Sequence, residues 1–108
     1  MSEPLIITSL QNDRVKAVRA LEMRKVRKET GLFVAEGASL IISGRDAGHV
    51  PDTLIYRAGS ADGGVVADLI RWALAQRCDV LEVSAAVLEK LAAKDNPQAL
   101  LAVYKQRW

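Results

Sequence analysis

The residues with the clearest chemical potential are basic, and they gather at one end of the sequence. Residues 1–28 contain seven Lys and Arg side chains and three acidic ones, whereas the remaining residues carry eight basic and ten acidic side chains. The seven are Arg14, Lys16, Arg19, Arg24, Lys25, Arg27 and Lys28. A local surplus predicts an anionic partner better than the net charge of +2 does. A solvated helix end is the alternative, since Lys and Arg also favour the carboxyl end of a helix dipole.

Little else in the sequence could support a reaction. No glycine-rich loop of the dinucleotide or P-loop type follows a predicted strand, and no serine or cysteine nucleophile has a histidine near it in sequence. One histidine, His49, and one cysteine, Cys78, cannot build a four-ligand zinc site or an internal disulfide. The sequence therefore predicts a metal-free domain that catalyses no reaction by itself.

Composition places the chain among globular proteins. Of its 108 residues, 50% are hydrophobic and 26% are charged, which is enough apolar material for one core. The longest apolar runs are a few residues, far below the roughly 20 that span a bilayer. The first residues lack the basic and apolar regions of a signal peptide. We therefore expect a cytoplasmic protein with no membrane partner.

Short apolar segments alternate with amphipathic ones along the chain. The predicted strands are residues 32–35, 53–56, 80–83 and 99–104. The predicted helices are residues 13–23, with the basic residues 24–28 at its end, then residues 38–47, a helix that follows Gly63 and Gly64, and residues 85–91. This alternation predicts an α/β layered domain with a largely parallel sheet.

The first predicted helix separates a core face from a basic face. At 100° per residue, Val15 and Val18 fall on one arc, whereas Lys16 and Arg19 fall on the other. Asn12 precedes this helix and has two interpretations. Its side chain can cap the helix, or its donor and acceptor can read a base or a ribose 2′-hydroxyl.

A set of short motifs follows a specific order along the chain. They are residues 7–12 (ITSLQN), Val15-Lys16, residues 24–27 (RKVR), the run from Gly31 through Phe33-Val34 to Glu36-Gly37, then Val83-Ser84, Asn96-Pro97-Gln98 and residues 101–103 (LAV). In order and spacing they resemble the N-terminal substrate-binding domain of SpoU-type (TrmH-like) RNA 2′-O-ribose methyltransferases. The resemblance covers nearly the whole chain.

The resemblance implies a fold and a function. The fold is an L30e-like three-layer α/β/α sandwich around a mixed, largely parallel sheet. The function is recognition of structured ribosomal or transfer RNA, ribosomal RNA above all, by residues 1–108 as one domain. In that family a separate knotted domain binds S-adenosylmethionine and transfers the methyl group, so we expect it to follow residue 108. The chain itself would hold no cofactor. It would be a monomer in isolation, and the full-length protein a homodimer.

The charge pattern and the resemblance together give a set of candidate RNA-binding residues. These are Asn12, Lys16, Arg19, Arg24, Lys25, Arg27, Lys28, Lys94, Asn96 and Gln98. Arg27 has a structural alternative, an ion pair with Glu36, and Gly37 suits a tight strand-to-helix turn. The last three of the set lie in one loop, which either joins the basic surface or is an ordinary surface loop.

Two other functions remain in competition. One is a stand-alone L30e-like ribosomal or kink-turn RNA-binding protein. That family places an Asn and a Lys after its first strand, whereas this chain has residues 36–39 (EGAS) there, without Lys. The other is a protein-interaction domain whose basic end is incidental.

Overall fold

The computed structural model describes residues 3–61, 63–92 and 99–106. The strands are β1 (Leu5–Ile7), β2 (Leu32–Glu36), β3 (Thr53–Arg57), β4 (Asp79–Val83) and β5 (Leu100–Lys105). The helices are α1 (Asp13–Ala20), α2 (Arg24–Thr30), α3 (Ala38–Asp46), α4 (Gly64–Ala75) and α5 (Ala85–Leu91). The predicted α/β class is confirmed. Within these residues no helix has the length and apolar character needed to cross a membrane.

The five strands form one mixed sheet in the order β1-β4-β3-β5-β2. β4 pairs in parallel with β1 and β3, whereas β5 pairs antiparallel with β3 and β2. The first residue of β5, Leu100, lies beside Tyr56 near the end of β3, so β5 runs back along its neighbour. The mixed sheet is as expected, but its parallel part is limited to two of the four pairings.

Helices cover both faces of the sheet. Ile55 and Leu101 point toward α1, α2 and α5, whereas Leu54 and Ala102 point toward α3 and α4. Successive side chains of a strand point to opposite faces, so each strand contributes to both cores. The three-layer arrangement follows, and all the basic residues of α1 and α2 belong to one outer layer.

The first helix departs from its prediction. α1 ends at Ala20, and a separate helix, α2, starts after Met23, whose backbone is extended (φ −85°, ψ 128°). Leu21 is buried and Val26 packs on the same core. In one continuous helix these two residues, five apart, would point about 140° from each other. The break allows both to face the core, and it places residues 24–28 on a helix of their own.

Two glycines set the direction of the chain around β2. Gly31 ends α2 in the left-handed region (φ 71°), and its N–H donates to the Arg27 carbonyl oxygen at 2.8 Å. Gly37 lies between β2 and α3 with φ 99°. Both angles are strained for residues with a Cβ atom. The strand-to-helix turn predicted at Gly37 is confirmed.

Candidate functional site

The outer layer formed by α1, α2 and α5 carries the basic residues singled out by the sequence. We call six of them the basic strip: Lys16, Arg19, Arg24, Lys25, Arg27 and Lys28. All are exposed except Arg27, which is half-buried. On α1, Lys16 and Arg19 are three residues apart and therefore neighbours on the helix surface. Val15 and Val18 are buried on the opposite side, as predicted.

Helix α2 turns most of its charge outward. It contains no fully buried residue, and only Val26 packs on the core beneath it. Lys25 Nζ lies 4.0 Å from Glu29 Oε1, but the Lys25 side chain is 85% exposed. An exposed pair of this kind is weak and screened by salt. The ammonium of Lys25 is therefore accessible to an external anion.

The strip borders a cleft of about 460 Å³ between these helices and β2, which we call the basic cleft. Its charged lining residues are Arg19, Arg27, Lys90, Glu22 and Glu36. Half of its ten lining residues are apolar, among them Leu21, Val34 and Leu91. The cleft combines a cationic surplus with an apolar interior.

Lys90 of α5 is a residue that the sequence analysis missed. It is exposed and lies 71 positions after Arg19, yet both line the basic cleft because α5 packs beside α1. Its place near the end of a predicted helix was the available signal. Nothing in the sequence pattern shows that α5 lies next to α1.

Arg27 has a structural role at the turn between α1 and α2. Its Nη1 donates to the carbonyl oxygens of Leu21 at 2.8 Å and Glu22 at 2.9 Å. These carbonyls lie at the end of α1, where helical partners run out. Arg27 therefore fixes the turn that orients α2. Arg27 and Glu36 line the same cleft, but the hydrogen bonds of Arg27 show that its role extends to the α1–α2 turn.

Arg27→Met is expected to lower the free energy of unfolding by about 2 kcal/mol, because it removes two charge-assisted hydrogen bonds. Lys28→Met removes the same charge from an exposed neighbour and is expected to change stability by about 0.5 kcal/mol or less. Urea unfolding followed by circular dichroism measures both. Equal stabilities for the two variants would show that Arg27 does not hold the turn.

Asn12 and Arg14 have partners within the fold. Asn12 Oδ1 accepts the backbone N–H of Arg14 at 2.8 Å, which confirms the helix cap. The cap uses one of the two lone pairs of Oδ1, so the amide nitrogen and the second lone pair are the groups that could contact RNA. Arg14 Nη2 donates to Asp79 Oδ2 at 2.6 Å. That pairing sets Arg14 apart from the basic strip.

Three residues of the predicted set cannot be placed. Lys94, Asn96 and Gln98 lie outside the described residues. Their contribution to an RNA surface remains a prediction.

A larger groove of about 970 Å³ lies on the other side of β2. Apolar residues dominate its lining, including the exposed side chains of Leu40 and Val50. It contains one lysine, Lys105, and one acid, Asp52. Size alone would favour this groove, but the smaller cleft is the one lined by predicted cations, Arg19 and Arg27.

The described residues include few groups for metal binding or nucleophilic attack. Within the described ranges, no group of three or more His, Cys, Asp or Glu side chains could hold a metal ion. Cys78 is buried, and burial raises the pKa of its thiol, with smaller contributions from Asp52 and Asp79. The thiol is therefore kept protonated, which makes it a poor nucleophile.

Comparison with known proteins identifies relatives of this fold. Residues 12–102 match the family model described as the MRM3-like substrate binding domain. No curated protein matches the chain. An rRNA methyltransferase from Sinorhizobium meliloti is 34% identical to it, with a TM-score of 0.85 over 99% of the chain. A structure described as an RNA 2′-O ribose methyltransferase is 32% identical, with a TM-score of 0.77 over 95% of the chain.

The solved relatives are considerably longer than this chain. The chain spans 39% of the Sinorhizobium enzyme and 38% of the RNA 2′-O ribose methyltransferase. The SpoU methyltransferase AviRb from Streptomyces viridochromogenes, solved with the cofactor AdoMet, is 22% identical over 89% of the chain, which spans 34% of it, with a TM-score of 0.71. At that identity the likeness concerns the fold.

Proposed function

Since the chain belongs to the family of MRM3-like substrate binding domains, we propose that it binds structured RNA, ribosomal RNA in particular, and positions it for a separate methyltransferase domain. The reaction would be transfer of a methyl group to a ribose 2′-oxygen. Residues 1–108 would supply recognition and no catalytic group.

The observation that carries this proposal is the one-sided distribution of cations. Lys16, Arg24, Lys25 and Lys28 are exposed on one helical layer, and Arg19 and Lys90 border the cleft beside it. Phosphates are the natural partners of such a surface, because each neutralised phosphate releases counterions. Arg also offers two parallel donors to one phosphate.

The surface favours structured RNA over an unstructured strand. Binding of single strands depends largely on aromatic side chains that stack with bases. Aromatic residues make up 5% of this chain, and Tyr56 and Tyr104 are buried. Phe33 stacks on Tyr104, with ring centroids 5.8 Å apart. Contacts to phosphates and 2′-hydroxyls, which suit folded RNA, are better served by the cations.

The methyl-transfer part of the proposal rests on the relatives. Two structures at least 32% identical to this chain are described as methyltransferases, and the chain spans about two fifths of each. S-adenosylmethionine would be the methyl donor, bound by the methyltransferase domain rather than by residues 1–108. The domain would recognise the shape and the phosphate positions of the RNA, and so place one ribose at the methyltransferase domain.

An amide NMR titration of this chain with a ribosomal RNA hairpin tests the proposal. We expect shifts to cluster on the basic strip and Lys90, with micromolar affinity at low salt. About five phosphate contacts predict that log K falls against log salt with a slope of about −4.

A different distribution of the amide shifts would overturn the proposal. Shifts absent at low salt would leave the basic strip as a solvated face. Shifts confined to Leu40, Val50 and their groove would do the same. The first result would favour a protein partner, and the second would mean that RNA binds through a different surface.

A further inference from the structure

We propose that the basic cleft receives one unpaired nucleotide of the RNA, with its base against the apolar interior and its phosphate on the cations at the rim. This inference rests on the proposed function and narrows it. The basic strip would hold the RNA backbone, and the cleft would select RNA in which a base has left the stack.

The mixture of charges in the cleft favours a base over a phosphate chain. Arg19, Arg27 and Lys90 are accompanied by two carboxylates, those of Glu22 and Glu36. Carboxylates repel a phosphate run but accept hydrogen bonds from the N–H groups of bases. The four cations of the strip outside the cleft are exposed, and one of them, Lys25, has a weak ion pair with Glu29, so we expect phosphates on the strip and the base in the cleft.

The apolar lining suits the faces of a base. Leu21, Val34 and Leu91 line the cleft together with the charged groups. The volume of about 460 Å³ lies within the range of roughly 300–1,000 Å³ that is usual for ligand sites. When a base enters such a site, both of its apolar faces are removed from water, which favours binding. A phosphate group has no apolar face and gains nothing from an apolar lining.

Arg27 adds a preorganised flat surface. Its Nη1 is held by two backbone carbonyl oxygens at 2.8 and 2.9 Å, so the guanidinium plane is fixed without the ligand. Bases that leave the stack are commonly received on aromatic rings or Arg planes. A side chain already fixed in place loses less entropy when the base stacks on it.

The test compares two RNA hairpins that differ by one bulged nucleotide, which carries 2-aminopurine. Affinity of the chain for each is measured by fluorescence anisotropy at the same salt concentration. We expect the bulged hairpin to bind at least fivefold more tightly, in line with the energy of stacking one base. We also expect the 2-aminopurine emission to change on binding.

Matched variants locate the effect. Arg19→Gln and Lys90→Gln alter the cleft, whereas Arg24→Gln and Lys28→Gln remove equal charge from exposed positions that do not line it. The cleft variants are expected to reduce the preference for the bulge to twofold or less. Arg24→Gln and Lys28→Gln should weaken the binding of both hairpins equally and keep the preference for the bulge.

The outcomes separate the two proposals. Equal affinity for both hairpins would overturn the nucleotide cleft and leave RNA binding intact. A preference that survives in both cleft variants would also overturn it. Failure to bind either hairpin at low salt would overturn RNA recognition itself.

Discussion

Replacing Lys16, Arg24, Lys25 and Lys28 together by glutamine is expected to lower the affinity for a ribosomal RNA hairpin at least 100-fold at low salt. Each lost phosphate contact removes about 0.8 from the slope of log K against log salt, so the loss of four contacts should flatten the slope by about 3. All four side chains are exposed, so the fold should persist. Anisotropy titrations at three or more salt concentrations measure both quantities.

A charge-matched control distinguishes a local surface from net charge. Arg45, Arg71, Arg77 and Lys105 lie outside α1, α2 and α5, and their replacement by glutamine changes the net charge equally. We expect this variant to lose much less affinity than the first, and to bind within about threefold of the parent at 0.1 M salt, where the Debye length is about 10 Å and distant exposed charges are largely screened. If the two variants lost equal affinity, the basic strip would be no more than a contributor to overall charge.

The sequence predicted the basic face because its cause is local. Lys16 and Arg19 oppose Val15 and Val18 through helical periodicity alone, and the structure reproduces that separation. The cap at Asn12 is equally local, since it depends on one side chain and the next amides. Features set by neighbouring residues were therefore available from the sequence.

The features that were missed depend on tertiary contacts. The break after Ala20 serves the burial of both Leu21 and Val26 on a core that other elements build. Lys90 joins Arg19 only because α5 packs beside α1. Periodicity within one segment carries no information about such neighbours.

Strand direction was harder to predict than strand position. Four predicted strands agree with β2, β3, β4 and β5 to within one residue at each end. β1 was not predicted as a strand, since Leu5–Ile7 is too short to show a period. β5 is antiparallel because the chain enters it from the end of the sheet where β3 finishes. The alternation of helices and strands does not specify from which end a strand is entered.

Leu101→Ala is expected to lower the free energy of unfolding by about 2–5 kcal/mol, because it leaves a cavity in a packed core. Leu101 is fully buried in β5, an inner strand of the sheet, and belongs to the cluster that also contains Val15 and Val18 of α1. Leu40→Ala is the matched control, since Leu40 is 58% exposed and its loss should cost about 0.5 kcal/mol or less. Urea unfolding at one temperature measures both.

This pair of variants also tests how the basic strip is supported. The apolar side of α1 rests on the cluster that Leu101 fills, whereas its basic side faces solvent. Below its unfolding midpoint, the Leu101→Ala variant should therefore keep the RNA affinity of the parent. On warming, it should lose RNA binding and helicity together, at a lower temperature than Leu40→Ala does. If RNA binding were lost well below the unfolding transition, the packing of Leu101 would be needed to position α1 for RNA as well as to keep the domain folded. Leu101 would then have a part in recognition.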